Sequence, residues 1–551
     1  MTSEGPRGPV VADRWITDRA PSSRFPFYTR ANAGEVLPDP ASPLSWSTIW
    51  EASSRGWRDS QIGTGLVRPD EVDAEEVVGC FGGYLYINAS LARLFGERGP
   101  GLTAEAIDRM YFGDHPDVPP YAPEPWYADD EATERLGAWM ERVLTDDLDE
   151  LRADRDETIA LRRDRPDLRS LSDHELVERA RGLLPLVRRL FERHLTVTGG
   201  ASIGPGILSA IATALGDPGI ALKLITGVGE VDSALPSRAM WALSRLEPGS
   251  ERYRAAFDDF LVEHGSRGPN EWDLISDVWE TRPALAERLI EVMRKQGDDG
   301  DPAVRAEAVA SLREDVTDRV REALAGDEEA SARFEAGLAS AHRYLAGRER
   351  TKTNVIRVLH EVRVSLREVA RRHELSVARF HMLLDEELDA FLASPSDFDA
   401  RLARRERSYR ALFELRPPFI VVGQVPPLTA WPRRADAVSA PAGAPGTELV
   451  GVAGCPGTVT GTARVILDPA DPTALEPGEI LIAPFTDPAW TPLFVPAAGV
   501  VVDVGAQVSH AIIVSRELGI PCVVSVTGAT ETIPDGATVT VDGDAGTVTV
   551  H

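Results

Sequence analysis

The stretch DVGAQVSHAIIVSRELGIPCVV, Asp503 to Val524, decides the reading of the chain because its periodicity changes in the middle and one histidine stands at the change. AGVVVDV before it and PCVVSV after it are short apolar runs of strand type. Between them HAIIVSREL has the composition of a short helix, with Ser509 suited to its N-cap and Gly519 and Pro521 suited to its end. His510 then takes the first helical position, where the free amides of the first turn face outward. A phosphoryl group on a histidine nitrogen there would be held by those amides and by the positive end of the helix dipole. The same field disfavours imidazolium and keeps the ring neutral and nucleophilic. Gly505 and Ala506 let a large charged donor come near the backbone. Spacing alone leaves a second reading open, since a single histidine beside an apolar helix is more often a packed structural residue.

Outward from this stretch, GTVTGTARVIL, GEILIAPF and ATVTVDGDAGTVTV continue the β-rich texture, so residues 448–551 read as a compact α/β domain of ordinary size. Upstream, residues 425–447 collect prolines, alanines and glycines with little helical period and read as a linker. Residues 1–424 read as mainly helical. Stretches such as SDHELVERARGLLPLVRRLFERH, Ser172 to His194, repeat apolar residues every three or four positions, with helix caps expected at Ser394 and Ser396 further on. Residues 21–50 are rich in Pro, Ser and aromatics and read as an irregular segment packed on a surface, with a helix starting near Ser45. GGASIGPGILS at Gly199 lacks the GK[ST] ending of a phosphate-binding loop.

The whole chain has 551 residues, enough for two to four domains, and a formal net charge of -28 that argues against nucleic acid or a membrane surface as partner. Lysine occurs only at Lys223, Lys295 and Lys352, so phosphate handling within this chain must lean on arginine forks and main-chain amides. Cys80, Cys455 and Cys522 show no ligand spacing, which suggests neither a metal site nor a disulfide framework and fits a cytoplasmic protein. No signal-peptide pattern opens the sequence, and no run of 18 apolar residues is evident.

PFTDPAWTPLFVPAAGVVVDVGAQVSHAIIVSRELGIPCVVSV closely resembles the phosphohistidine swivelling domain of the PEP-utilising enzymes, the family of phosphoenolpyruvate synthase and rifampin phosphotransferase. VAGCPGTVTGTARVI resembles the opening of that domain. The resemblance implies a helical substrate domain followed by a compact β/β/α swivelling domain, with His510 as the phosphate carrier before the AxxxxRExGxP pattern. Gly505, Ser509, Ala511 and Arg516 are expected to support the phosphohistidine. This chain departs from the pattern at Ala506, usually a second glycine, and at Val508, often a threonine.

FLVEHGSRGPNEWDLISDVWETRP, YTRANAGEVLPDPASPLSW and GRERTKTNVIRVLHEVR resemble the helical substrate region of the same family. They nominate Glu35, Trp46, His264, Arg267, Glu271, Arg357 and Arg363 as substrate-binding candidates. Ser266 stands where the family commonly has a histidine. For each candidate a packing or helix-surface role is the competing reading.

Nothing in the sequence resembles the ATP-grasp domain with which relatives charge the histidine. The expectation is therefore a phosphotransferase component that receives its phosphoryl group from ATP, with Mg2+, on a separate ATP-grasp partner and passes it to a small organic molecule. No metal ligand is expected in this chain. Two other readings use the same domain: an ATP-driven condensation or dehydration, and a regulatory carrier that passes no phosphate to a metabolite.

Overall fold

The computed structural model describes residues 13–112, 115, 117–228, 231–434, 443–467, 475–486, 490–505 and 509–551. Ala506, Val508 and residues 435–442 of the expected linker lie outside the described residues.

The large N-terminal part is helical and is organised along one helix, Glu328–Arg372, whose 45 residues span about 68 Å. It starts where the Asp327 side chain accepts the Ala330 amide, an N-cap that relieves one of the unpaired first-turn donors. Helices Glu150–Arg163, Asp173–Gly182, Leu184–Gly200 and Ile203–Ala214 pack along it. The Ile203–Ala214 crossing depends on Gly204: a Cβ there would stand 2.5 Å from the Ala341 nitrogen and 2.6 Å from the Gly337 oxygen. Two glycines facing each other let two backbones approach. The stretch Ser172 to His194, expected to be helical, forms two helices that meet at Leu183, and Pro185 fits the first turn of the second, where its missing N–H costs nothing. The helical run Asp173–Ala214 is long and apolar enough to cross a membrane by composition, at hydropathy 1.4. Here its apolar side packs on helix Glu51–Gly63 and on the long helix.

A four-stranded antiparallel sheet closes one end of this part, in the order Val78–Phe81, Tyr84–Asn88, Phe27–Thr29, Ile420–Val422. Gly82 and Gly83, both at positive φ, make the two-residue turn of its hairpin, the conformation that matches strand twist. Residues 21–50 are thus not wholly irregular: they supply an inner strand, too short for its alternation to show in sequence. The helix after it starts at Pro43, through one π turn at Trp46–Trp50, before Glu51–Gly63. Leu428 and Trp431, within the expected linker, are buried over the Gly82 turn and belong to the helical core. The expected caps at Ser394 and Ser396 are not made: Ser394 precedes a short 3-10 turn without a side-chain bond, and Ser396 lies inside that turn.

Residues 448–551 form the second part, an eight-stranded mixed sheet. Its order is Glu448–Val450, Thr547–Val550, Thr538–Asp542, Thr458–Val465, Ile480–Ala483, Gly499–Val502, Cys522–Val524, Val452–Cys455. The four strands from Thr458 to Val524 in that order run parallel, and the rest pair antiparallel. Strand alternation fills two cores. Leu481, Val500, Val502 and Val524 face helices Thr491–Phe494 and His510–Leu518, while Ile480, Ile482, Val501 and Val523 face the opposite layer. The chain is therefore a large helical region followed by a sheet domain, as its sequence texture predicts.

Candidate functional site

His510 is the first residue of helix His510–Leu518, and Ser509 before it has extended dihedrals, φ -71 and ψ 160. Gly519 ends the helix in the left-handed region, where glycine bears no Cβ penalty. Among the described residues Ser509 makes no capping bond, and its buried Oγ has no partner. The imidazole is 6% exposed and is held from both nitrogens. Thr491 Oγ1 lies 3.0 Å from Nε2, and Thr486 Oγ1 lies 3.1 Å from Nδ1. Phe494 meets the ring edge-on at 6.0 Å. In the neutral ring one N–H donates to one threonine hydroxyl and the other nitrogen accepts from its neighbour. Burial pushes the His510 pKa well below its ordinary value, and the charges of Lys352, Arg267 and Arg348 push it the same way.

Those three cations all belong to the helical part. Arg348 and Lys352 sit one turn apart on the long helix, on one face. Arg267 is 2% exposed in the loop after helix Glu251–His264; its Nε donates to Glu271 Oε2 at 2.9 Å and its Nη1 to Thr353 Oγ1 at 2.8 Å. Among the described residues its buried Nη2 has no partner, nor has Glu271 Oε1. Thus Arg267 is anchored on one side and has a donor left on the other.

Glu35 approaches from the N-terminal segment. Its Oε1 lies 3.3 Å from the place a Cβ on Gly505 would occupy, and Ser509 Oγ lies at the same distance from that point. The missing side chain of Gly505 therefore lets a carboxylate of the helical part reach the loop that carries His510. Burial raises Glu35 to about 8, against the pull of Arg348 and Lys352. His194 Nδ1 lies 3.0 Å from Thr351 Oγ1, and burial with the same two cations lowers this ring to about 3. Glu35, His194, Arg348 and Lys352 keep accessible surface although burial governs the titration of Glu35, His194 and Lys352. These four groups are thus partly accessible, and protein atoms enclose Glu35, His194 and Lys352. Among the described residues neither the Glu35 carboxylate nor the Lys352 ammonium makes a hydrogen bond or ion pair within the chain, which leaves both free to meet a ligand.

The two parts of the chain are docked against each other. Val228 N–H donates to Glu517 Oε1 at 3.2 Å, Arg305 Nη1 donates to the Val495 carbonyl at 2.9 Å, and Val495 joins the apolar cluster of Met240, Trp241 and Trp279.

The structure separates the remaining sequence candidates. Arg516 donates through Nε to the Gly454 carbonyl at 2.9 Å and tethers the helix to the edge strand; Ala511 packs into the sheet. Trp46 is buried and stacks on Trp50 at 6.2 Å. His264 packs on Phe260 at 5.4 Å, and burial with Arg357, Arg267 and Arg155 lowers it to about 3. Arg357 pairs with Glu263 at 2.7 Å, and Arg363 is fully buried with Nη2 on the carbonyls of Glu271 and Asp273. The basic residues of the long helix that face His510 are Arg348 and Lys352, not these two. Helical geometry explains the correction, since Arg357 is turned about 140° from Lys352 and Arg363 lies about 16 Å further along the axis. Thr486, Thr491, His194, Arg348 and Lys352 were missed as candidates; the one available signal was the scarcity of lysine together with the four-residue spacing from Arg348.

Comparison with known families agrees with this geometry. Residues 475–546 match the PEP-utilising enzyme mobile domain. Residues 193–349 match the rifampicin phosphotransferase fourth domain, which includes His194, Arg267 and Arg348. The chain is 31% identical to the prodigiosin synthesizing transferase PigC of Serratia marcescens over 63% of its own length and 38% of the relative's. It is 31% identical to a rifampicin phosphotransferase of Streptomyces sviceus, over 55% of this chain and 35% of that protein. A segment covering 19% of the chain is 50% identical to 3% of the chondramide synthase cmdD of Chondromyces crocatus. The matched regions thus span well under half of these relatives.

Proposed function

We propose that His510 of the mobile domain carries a phosphoryl group from ATP, charged on a separate ATP-grasp protein, to a small organic molecule in the cleft between the two parts of this chain. The observation that carries the reading is a neutral, doubly anchored histidine at a helix start, facing Lys352, Arg267 and Arg348 across a domain boundary. Among the described residues no group of three His, Cys, Asp or Glu side chains is placed to hold a metal ion. On this reading ATP and Mg2+ belong to the partner.

In the first step the unprotonated ring nitrogen would attack a phosphorus of the nucleotide on the partner, the N–P bond forming as the P–O bond to the rest of the nucleotide breaks and its electron pair leaves with that oxygen. The other ring nitrogen keeps its proton on a threonine hydroxyl, so no proton moves. In the second step a substrate oxygen attacks phosphorus, the N–P bond breaks with its electron pair returning to nitrogen, and the ring leaves as neutral imidazole. A covalent way station splits the transfer between two sites, each aligning its own in-line displacement. Lys352, Arg348 and the free Nη2 of Arg267 would neutralise the phosphoryl oxygens as charge spreads over them.

The test is acid-labile phosphate. Native protein incubated with ATP and a stand-alone ATP-grasp protein should gain it, and His510→Ala should not; equal labelling of the two refutes the carrier. A phosphorylated product supports transfer. The similarity to a prodigiosin synthesizing transferase favours as second reading a condensation in which phosphorylation only activates, marked by free phosphate and a coupled product. Labelling that never discharges to any compound of a cell extract would point to a regulatory carrier.

A further inference from the structure

We infer that Glu35 is the base that takes the proton from a neutral hydroxyl of the substrate as phosphohistidine discharges. The inference rests on the carrier reading above and adds to it both a catalytic residue and the chemical class of the acceptor.

Three observations converge. The Glu35 carboxylate is unpartnered among the described residues, in a protein where nearly every enclosed carboxylate of the helical part has an arginine. Its Oε1 lies 3.3 Å from the place a Cβ on Gly505 would occupy, as does Ser509 Oγ without bonding to it, so the carboxylate borders Gly505 and the start of the His510 helix. Its setting suits proton transfer near neutrality, since enclosure raises its proton affinity while Arg348 and Lys352 keep the carboxylate accessible. The groups that face it are these two cations from the long helix and Ser509 from the histidine loop. Arg30, near Gly34, is already bonded to the carbonyls of Leu37, Pro38 and Leu85.

The charge pattern also selects the acceptor. A carboxylate substrate would bring a second negative charge beside Glu35 and has no proton to give it. An alcohol or phenol brings no charge and needs a base. The step balances: the hydroxyl oxygen forms the O–P bond, its proton goes to a Glu35 oxygen, the N–P bond breaks, and its electron pair returns to the His510 nitrogen, leaving neutral imidazole and a phosphate ester.

The experiment needs no partner protein. The full chain is phosphorylated at His510 with phosphoramidate, His510→Ala serving as the labelling control, and discharge is followed to water and to added benzyl alcohol between pH 6 and 9.5. In the native protein discharge should accelerate with pH through about 8 and then level, the profile of a carboxylate base titrating there. Glu35→Gln should label normally but discharge about 10²-fold more slowly at pH 8.5, without that rise, and Glu35→Asp should keep part of it. Equal discharge rates and equal pH profiles for native protein and Glu35→Gln overturn the inference while leaving the carrier intact. Failure of His510 to take label at all would instead strike the carrier reading itself. Faster discharge to added acetate than to benzyl alcohol overturns the choice of acceptor.

Discussion

Lys352→Met offers a quantitative handle on the cleft, because one ammonium acts on three groups that sequence places far apart. Burial is the first cause of the perturbed titration of Glu35, His194 and His510, and Lys352 and Arg348 are both among the charges acting on each. Methionine keeps the length of the side chain and removes the charge. A unit charge at roughly 6–8 Å and an effective dielectric of about 20 is worth about 2–3 kcal/mol, or about 30- to 100-fold in proton affinity. In Lys352→Met, Glu35 should therefore rise above about 8, and His194 and His510 should rise while staying below the ordinary histidine range, since burial persists. Histidine ring NMR across a pH titration reads the two imidazoles. Losing a charge that stabilises the transferring phosphoryl group should slow discharge of phosphohistidine by about 10²- to 10³-fold. Unshifted His194 and His510 signals, with discharge within twofold of native, would refute the placement of Lys352 over the reacting histidine.

Glu517 should make stability depend on pH. Burial lifts its carboxyl from 4.5 to about 7, against Arg238, Arg313 and Arg516, with the Val228 amide donating to it. The folded state then holds a proton that the unfolded state releases, so stability is highest below the unfolded value and falls as pH rises to about 7. Glu517→Gln should remove this slope and stabilise the protein by about 2–3 kcal/mol at pH 8 relative to native, read as a smaller loss of melting temperature between pH 5 and 8. Gly204→Ala should force the Ile203–Ala214 helix away from the long helix and cost about 1–3 kcal/mol, seen as a lower melting temperature; an unchanged one would contradict the close crossing at Gly337.

The place of His510 was legible because its determinants act over a few residues. Strand-type runs, a serine before the helix and a glycine after it are local backbone preferences, and they fixed the first helical position in the sequence as in the structure. The inner strand Phe27–Thr29 was not legible, since three residues show no alternation and their partners lie some sixty and four hundred residues away. The same distance hid the cations. Arginine and lysine on a long helix ordinarily face solvent, and beyond the scarcity of lysine and the four-residue spacing nothing local distinguishes Arg348 and Lys352 from Arg357 and Arg363.

By itself, then, the sequence determined that a histidine opens a short helix between two strands and what kind of domain presents it. The tertiary structure alone decided what that residue faces. It brought Arg267, Arg348 and Lys352 from distant segments within electrostatic reach of His510, and set Glu35 against Gly505 of the loop before it. The physical reason is that backbone conformation is set by near neighbours, whereas the field at a nitrogen sums over every charge that folding carries into range.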